Sequence, residues 1–168
     1  MSKLEIKNIS KIFSLNGDKG EKNKVLAVNN VNLSIEEGQF VCFVGPSGCG
    51  KSTLLNIIAG LEKPSSGELV LNGRPVFETG PDRIMVFQEN ALFPWLSVID
   101  NVEFGLKMVG VEKEKRRKIA MHYLDMMDLG KFAKSYTYQL SGGMKQRVAI
   151  SRALSMDPDI LLMDEPFA

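Results

Sequence analysis

The sequence predicts an α/β fold, in which a sheet that contains parallel strands is covered by helices. The apolar run Val41–Val44 leads through a glycine-rich segment into an amphipathic helix at Thr53–Leu61, the pattern of a buried strand followed by a helix. A second apolar run, Ile160–Met163, ends in two carboxylates. Between the two runs apolar residues recur with a helical period, so strands and helices alternate as in a layered α/β domain.

Length and composition fit one ordinary globular domain. The chain has 168 residues, of which 44% are hydrophobic and 24% are charged, enough for a sizeable core. The net charge of +1 gives no electrostatic footprint for nucleic acid, so no nucleic-acid partner is expected. No apolar run approaches the roughly 20 residues of a membrane span. Cys42 and Cys49 form neither a disulfide framework nor a zinc spacing, and both are expected to be reduced thiols in the cytosol.

The first 90 residues are rich in short β-type segments. Asn16–Lys24 is polar and contains glycine, which predicts a solvated loop. The loop follows the first segment, which Ile12 and Phe13 close. Glu36–Gly38 predicts a turn before the apolar run, and Asn72-Gly73 is a strong hairpin signal. The predicted strands are 3–9, the pair 25–28 and 31–35, then 68–71, 75–77 and 84–87.

Three helices are predicted in the second half of the chain, at Ser97–Val109, Val111–Leu129 and Leu140–Met156. In the second helix, Ile119, Tyr123, Met126 and Met127 are predicted to share one face. The charged run EKEKRRK in this helix could form a patch for lipid or nucleic acid. Because acidic residues are interspersed with the basic ones, a solvated helix face is the favoured interpretation.

The glycine-rich segment fits the P-loop pattern G-x-x-x-x-G-K-[ST] between a predicted strand and a predicted helix, the context in which this pattern binds phosphate. Its glycines let backbone amides approach an anion, and the helix adds its unpaired N-terminal amides. Lys51 would reach the β- and γ-phosphates, and the Ser52 hydroxyl would bind Mg²⁺. The alternative is a glycine-rich turn without a ligand. The candidate phosphate-binding residues are Gly45, Pro46, Ser47, Gly48, Cys49, Gly50, Lys51, Ser52 and Thr53.

Asp164 and Glu165 follow the second apolar run directly. In a parallel sheet, a strand buried beside the P-loop strand delivers its last side chains to the same ligand-binding edge. Asp164 would hold Mg²⁺ through water, and Glu165 would polarise a water for attack on a γ-phosphate. The alternative is a strand that simply ends in surface acids.

The stretch Leu140–Met144, LSGGM, predicts a second anion site. Ser141 is a natural helix N-cap, and Gly142 and Gly143 would expose backbone amides at the start of a helix; the alternative is a capped helix without a ligand. The stretch resembles LSGGQ, the signature sequence of the ATP-binding subunits of ABC transporters, with Met144 in place of glutamine. The resemblance runs from Leu4 to Phe167 and includes the order P-loop, glutamine, LSGG, Asp-Glu.

The resemblance implies ATP and Mg²⁺ as cofactors and assigns further roles. The signature residues Ser141, Gly142 and Gly143 would cap the γ-phosphate on the P-loop of a second copy in a head-to-tail dimer. Phe13 falls where the family places an aromatic residue on adenine, although it could equally be a core residue. Gln88 falls at the glutamine that touches Mg²⁺ beside the docking groove for the membrane partner. Lys51, Gln88 and Glu165 are thus the candidate catalytic residues, and Ser52, Gln88 and Asp164 the candidate metal ligands.

The segment from Gln88 to Val98 looks like the nitrate, sulfonate and taurine branch of importers, mainly through the sequence FPWL. Trp95 is expected to be partly exposed as a contact for the permease; the alternative is a core tryptophan. The family continues beyond Asp-Glu-Pro to a switch histidine, so the resemblance implies that this chain lacks its last quarter or more. The only histidine present, His122, is interpreted as a surface or packing residue.

Together these features predict a P-loop NTPase (RecA-like) core with an antiparallel β subdomain and an inserted α-helical subdomain. The expected divisions are 1–88 for the core, 89–156 for the helical subdomain and 157–168 for the return to the core. The resemblance implies an ATPase on the cytoplasmic face of the membrane that works with permease subunits and, indirectly, a solute-binding protein. The alternatives are a non-hydrolysing regulatory module and an ABC ATPase unrelated to transport.

Overall fold

The computed structural model describes residues 2–14 and 24–166. The predicted loop at 16–24 therefore falls outside the described residues except for its last position. The chain divides into two compact units, residues 1–80 and 81–168, each with its own internal contacts. Six strands and four α-helices are found in the described ranges: β1 Ser2–Ser14, β2 Lys24–Glu36, α1 Lys51–Ala59, β3 Ser66–Leu71, β4 Arg74–Pro75, β5 Arg83–Val86, α2 Val98–Met108, α3 Lys113–Met126, α4 Gly142–Leu154 and β6 Ile160–Met163.

The first unit is built on an antiparallel sheet with strand order β2-β1-β3-β4. In β1, Leu4 and Ile6 pair with Leu71 and Leu69 of β3, and all four side chains are buried. The alternation in the sequence thus places one face of β1 in the core, as predicted. The predicted hairpin between β3 and β4 is also confirmed, with a two-residue second strand.

The predicted strand pair within residues 25–35 is wrong, because β2 is one continuous strand of 13 residues. Asn30 adopts a positive φ of 47°, and the register with β1 shifts between the Ile9–Val31 and Lys11–Val28 pairs. A bulge of this kind absorbs an irregular residue without ending the ladder.

The predicted strand at Val41–Val44 is also wrong, because this run has no strand pairing in the structure. Phe40, Val41 and Val44 are exposed, Val44 to 89%. A strand exists only where a neighbour accepts and donates its backbone hydrogen bonds, and no described strand of the first unit lies along this run.

The helix after the P-loop begins and ends two residues earlier than predicted. It starts at Lys51 and ends at Ala59, where Gly60 adopts a left-handed conformation with φ 78° and its N–H donates to the carbonyls of Asn56 and Ile57. A left-handed glycine is a frequent helix terminator. Leu61 consequently lies outside the helix.

The second unit combines a helical cluster with a short parallel sheet. Helices α2, α3 and α4 bury a common apolar core, while β5 pairs with β6 in parallel and packs against Ala149 and Ala153 of α4. The side chains of the helical core are Val98, Ile99, Val102, Ala120, Leu124, Leu129, Ala133, Leu140 and Val148. The α/β fold class and these three helices are as predicted.

The face predicted for α3 from Ile119, Tyr123, Met126 and Met127 is not the fully buried one, although Met127 packs against the helical core. The buried residues are Ala120 and Leu124, which lie four residues apart and therefore on one side of the helix. Met126 is exposed, and Ile119 and Tyr123 are only partly buried. The cluster with α2 and α4 selects the Ala120 face, a choice that the apolar pattern of α3 alone does not determine.

Candidate functional site

The P-loop folds as a tight turn into α1, and the turn places the Lys51 side chain beside backbone carbonyls of the loop. The Lys51 ammonium donates to the carbonyl oxygens of Gly45 at 2.8 Å and Pro46 at 2.9 Å. The Cys49 N–H donates to the Pro46 carbonyl at 3.4 Å, and the Cys49 sulfur lies 3.8 Å from the Lys51 Nζ. The helix starts with no side-chain cap, so its N-terminal amides and positive dipole end face the loop, as an anion site requires.

Two glycines of this loop lie where an added side chain would be excluded, at Gly50, or crowded, at Gly45. Gly50, the residue before α1, has φ 96°, and a Cβ there would collide with the carbonyl oxygen of Ala27. A Cβ at Gly45 would lie 2.8 Å from the Cys49 sulfur. Backbone this close to other backbone and side-chain atoms is what a compact phosphate-binding turn needs.

Phe13 lies near the end of β1 with 36% of its surface exposed. The Lys11 ammonium lies 4.9 Å from the centre of the Phe13 ring and is itself held by the Glu62 carboxylate at 2.6 Å. The structure therefore favours an accessible aromatic ring over a core position for Phe13.

In the second unit, the ends of β5 and β6 bring Gln88 and Glu165 together. Val86 pairs with Met163, and the Asp164 N–H donates to the Val86 carbonyl at 3.0 Å. Just beyond this pair, the Gln88 side-chain amide donates to the Glu165 carboxylate at 3.0 Å. Two residues predicted to share a site, 77 positions apart in the chain, are thus in direct contact.

Glu165 has a strained backbone. Its φ is 45°, a value that non-glycine residues adopt rarely and mostly where the surroundings enforce it. The side chain is exposed, so its carboxylate is open to solvent while the Gln88 amide orients one oxygen. A carboxylate held in this way can accept a proton from, or align, a bound water.

At the second predicted anion site, Ser141 is the N-cap of α4, and its hydroxyl accepts from the Met144 N–H at 3.3 Å. Added Cβ atoms at Gly142 and Gly143 would meet nothing within 4 Å. The first turn of α4 therefore presents exposed backbone, as predicted. The P-loop lies in the first unit, and Gln88, Glu165 and Ser141 lie in the second.

The segment between Gln88 and α2 is fixed by residues that sequence reasoning missed. Asn101 of α2 is fully buried. Its amide donates to the carbonyls of Phe93, Leu96 and Ser97 at 3.0 to 3.2 Å, and its Oδ1 accepts from the Phe93 N–H at 2.8 Å. A polar residue on the apolar side of α2 was the one signal in the sequence that could have indicated this role.

This anchored segment presents Trp95, whose side chain is 70% exposed. The Trp95 ring centre lies 5.6 Å from that of Phe93, and the Phe93 ring centre lies 4.5 Å from that of Phe104 at an interplanar angle of 47°. The expectation of a partly exposed tryptophan is confirmed, and the core alternative is excluded. An exposed aromatic residue on a fixed loop is suited to contact a partner.

An ion pair stabilises the start of α2. Burial acts to raise the pKa of the Asp100 carboxyl, but hydrogen bonds from Ser97 and Arg117 outweigh it and hold the pKa below its usual value. The Arg117 guanidinium donates to Asp100 at 2.7 Å, and the pKa of Arg117 is raised chiefly by this hydrogen bond. These groups are structural, because they fix the first turn of α2 rather than line either candidate site.

Across residues 2–14 and 24–166, no group of three or more His, Cys, Asp or Glu side chains could hold a metal ion. Ser52 in the first unit, and Gln88 and Asp164 in the second, carry side-chain oxygens of the hard type that Mg²⁺ prefers. Over the same residues, no helix is long and apolar enough to cross a membrane.

Comparison with known proteins extends these observations. Residues 28–168 match the family described as ABC transporter. The nitrate import ATP-binding protein NrtD of Synechocystis is 51% identical over 98% of this chain and 60% of its own length. The taurine import ATP-binding protein TauB of Roseobacter denitrificans is 50% identical over 99% of this chain and 60% of its own length. The chain thus spans about 60% of the length of these curated relatives.

The fold also matches solved structures. One is described as a dimeric post-hydrolysis state of an ATP-binding cassette bound to ADP and Pi. It superimposes with a TM-score of 0.85 at 39% identity, over 98% of this chain and 74% of the other. The predicted P-loop NTPase fold class is confirmed by this likeness.

Proposed function

The chain belongs to the ABC transporter family, and on this premise we propose that the protein binds and hydrolyses Mg-ATP to drive the import of a small solute. The observation that carries the proposal is the contact between Gln88 and Glu165 at the ends of two paired strands, in a chain that also carries the complete P-loop. The first feature supplies a positioned carboxylate for hydrolysis, and the second supplies phosphate binding.

Nucleotide binding is assigned to Gly45–Thr53, with Phe13 as the contact for adenine. The backbone amides of the loop and of the first turn of α1 would surround the phosphates. Lys51, which donates to two loop carbonyls at 2.8 and 2.9 Å, lies close enough to the loop to exchange those acceptors for β- and γ-phosphate oxygens.

Hydrolysis is assigned to Glu165. Its carboxylate would align and polarise a water whose oxygen attacks the γ-phosphorus as the bond to the β-phosphate oxygen breaks, which leaves ADP and inorganic phosphate. Bound Mg²⁺ would neutralise charge on the phosphates. Ser52, Gln88 and Asp164 are the proposed oxygen donors for the metal.

A second copy of the chain is the proposed partner for Ser141, Gly142 and Gly143. The solved cassette with the same fold is described as a dimer, and the first turn of α4 offers exposed backbone. Exposed amides at a helix N-terminus favour an anion. We assign them to the γ-phosphate held by the P-loop of the other copy, in a head-to-tail dimer.

The further partners proposed are the permease subunits of an importer, with Trp95 at the contact, and, through them, a solute-binding protein. The protein would lie on the cytoplasmic face of the membrane. The two import relatives are named for nitrate and taurine, so a small anionic or zwitterionic solute of the nitrate, sulfonate or taurine type is the proposed cargo.

The proposal is tested by steady-state ATP hydrolysis of the full-length protein and its Glu165→Gln variant. We expect the wild type to release phosphate and the variant to lose roughly 10²- to 10⁴-fold in kcat, the usual contribution of a positioned acid–base group. The variant should still bind Mg-ATP. A wild-type protein that binds ATP without hydrolysing it would contradict the proposal and support the non-hydrolysing regulatory alternative.

A further inference from the structure

Arg152 of α4 points its guanidinium at backbone, not at a carboxylate. Its Nη1 donates to the Ala91 carbonyl at 2.9 Å and its Nη2 to the Asn90 carbonyl at 3.4 Å. The guanidinium carbon also lies 5.6 Å from the centre of the Phe93 ring. Among the described residues no acidic side chain forms an ion pair with Arg152, so this partly buried cation is devoted to one short stretch of backbone.

Burial disfavours the charged form of this side chain and lowers the pKa of Arg152 from its usual value. A guanidinium nevertheless stays protonated in proteins. A cation kept away from water without a counter-ion is maintained only where its hydrogen bonds are satisfied. The two adjacent carbonyls satisfy it, since its planar fork can donate to two acceptors at once.

Asn90 and Ala91, whose carbonyls accept from Arg152, form a strained stretch that directly follows the candidate-site segment containing Gln88. Ala91 has φ 44°, and the side-chain oxygen of Asn90 is buried without a hydrogen-bond partner. A positive φ at a residue with a Cβ persists only where the surroundings enforce it. Two positions before Asn90, Gln88 makes its 3.0 Å contact with Glu165.

We propose that Arg152 is a positioning residue for hydrolysis: by holding the Asn90 and Ala91 carbonyls, it fixes the segment that places the Gln88 amide on the Glu165 carboxylate. This inference rests on the proposed function, since it assigns Arg152 a role in the reaction given to Glu165. The Arg152 guanidinium also lies over the ring of Phe93, which is the neighbour of exposed Trp95. One guanidinium therefore joins the proposed catalytic pair to the proposed docking loop.

The kinetic test uses Arg152→Met, which keeps length but donates no hydrogen bond, and Arg152→Lys, which keeps the charge without the fork. In the full-length protein, kcat for ATP hydrolysis should fall about 10- to 100-fold in Arg152→Met, the range expected from a misplaced reacting group. The KM for ATP should change by less than about 2-fold, because the P-loop contacts are unaltered. The kcat of Arg152→Lys should lie between those of the wild type and Arg152→Met.

The decisive arm is the double variant Arg152→Met/Gln88→Ala. If Arg152 acts through Gln88, the double variant should have the kcat of Gln88→Ala alone, since coupled residues are not additive. Losses that multiply would overturn the proposal. The matched control is Arg116→Lys, an arginine that also donates to a backbone carbonyl, that of Val111 at 3.2 Å. It should leave kcat within about 2-fold of the wild type.

A second measurement, by NMR, does not depend on ATP hydrolysis. The side-chain amide resonances of Gln88 in nucleotide-free protein should shift in Arg152→Met and stay unchanged in Arg116→Lys. An unchanged Gln88 signal in Arg152→Met overturns the positioning role even if the enzyme is active. A shifted signal in a protein that proves to have no ATPase activity would instead uphold the contact and contradict the proposed function.

Discussion

Two apolar runs, Val41–Val44 and Ile160–Met163, have the same sequence character and different structures. Each consists of four apolar residues, and each leads into a motif for nucleotide chemistry. The second run is strand β6, paired in parallel with β5, and its Leu162 is only 6% exposed. The first run has no strand partner among the described residues, and it exposes Val41, Cys42 and Val44 while Phe43 is partly buried.

The difference shows that apolarity alone does not make a strand. The β6 backbone pairs with β5 along one edge, and its side chains pack on α4, so this run has both a hydrogen-bonding neighbour and an apolar surface that covers it. Glu165, which follows β6, depends on the same pairing, because the ends of β5 and β6 bring it to Gln88. The P-loop after the first run does not. The P-loop turn is fixed by its own glycines and by Lys51, which is local information.

The largest expected effect is the difference in unfolding free energy between a substitution in β6 and one in the run Val41–Val44. In this 168-residue chain, Leu162→Ala should lower the free energy of unfolding by about 2–5 kcal/mol, the range for truncating a buried leucine. Val44→Ala should change it by less than about 0.5 kcal/mol, as for an exposed side chain. Chemical denaturation measures both values, and equal losses would break the comparison.

The next effect concerns the turn that follows the first run. Gly50→Ala would force a Cβ into the Ala27 carbonyl at φ 96°, which should cost about 2–3 kcal/mol through strain and displaced backbone. The matched control is Gly38→Ala, where φ is 76° and nothing lies within 4 Å of the added carbon. It should cost only about 1–2 kcal/mol, the penalty for the left-handed conformation itself. Equal unfolding free energies for the two variants would argue against the tight turn.

The smallest effect compares the two thiols, one in the apolar run and one in the turn after it. Cys42 and Cys49 are both exposed. If the P-loop binds nucleotide, Mg-ATP should shield Cys49 and slow its alkylation several-fold, while the alkylation rate of Cys42 stays the same. Mass spectrometry of each cysteine after a timed exposure to iodoacetamide gives the two rates. Protection of Cys42 alone would place the ligand elsewhere.

Much of the fold was predictable because its signals are local. The bounds of β6, the Ser141 cap and the Asn72-Gly73 hairpin follow from short-range propensities and turn chemistry. The errors at Val41–Val44 and on the face of α3 arise where a neighbouring element decides the outcome. Arg152 was missed for the same reason, since its carbonyl partners lie up to 62 positions away. Asn101 was missed although its partners lie within 8 positions, because they are backbone groups, which every residue has.

The two motifs should also divide the chemistry, with phosphate binding at the P-loop and hydrolysis at the acidic pair. The most direct test is a titration of Mg-ATP against the full-length protein and its Lys51→Ala and Glu165→Gln variants. Lys51→Ala should weaken binding roughly 10- to 100-fold, because a charged hydrogen bond to phosphate is lost. Glu165→Gln should bind as tightly as the wild type. Unchanged affinity in Lys51→Ala, or lost affinity in Glu165→Gln, would contradict this division.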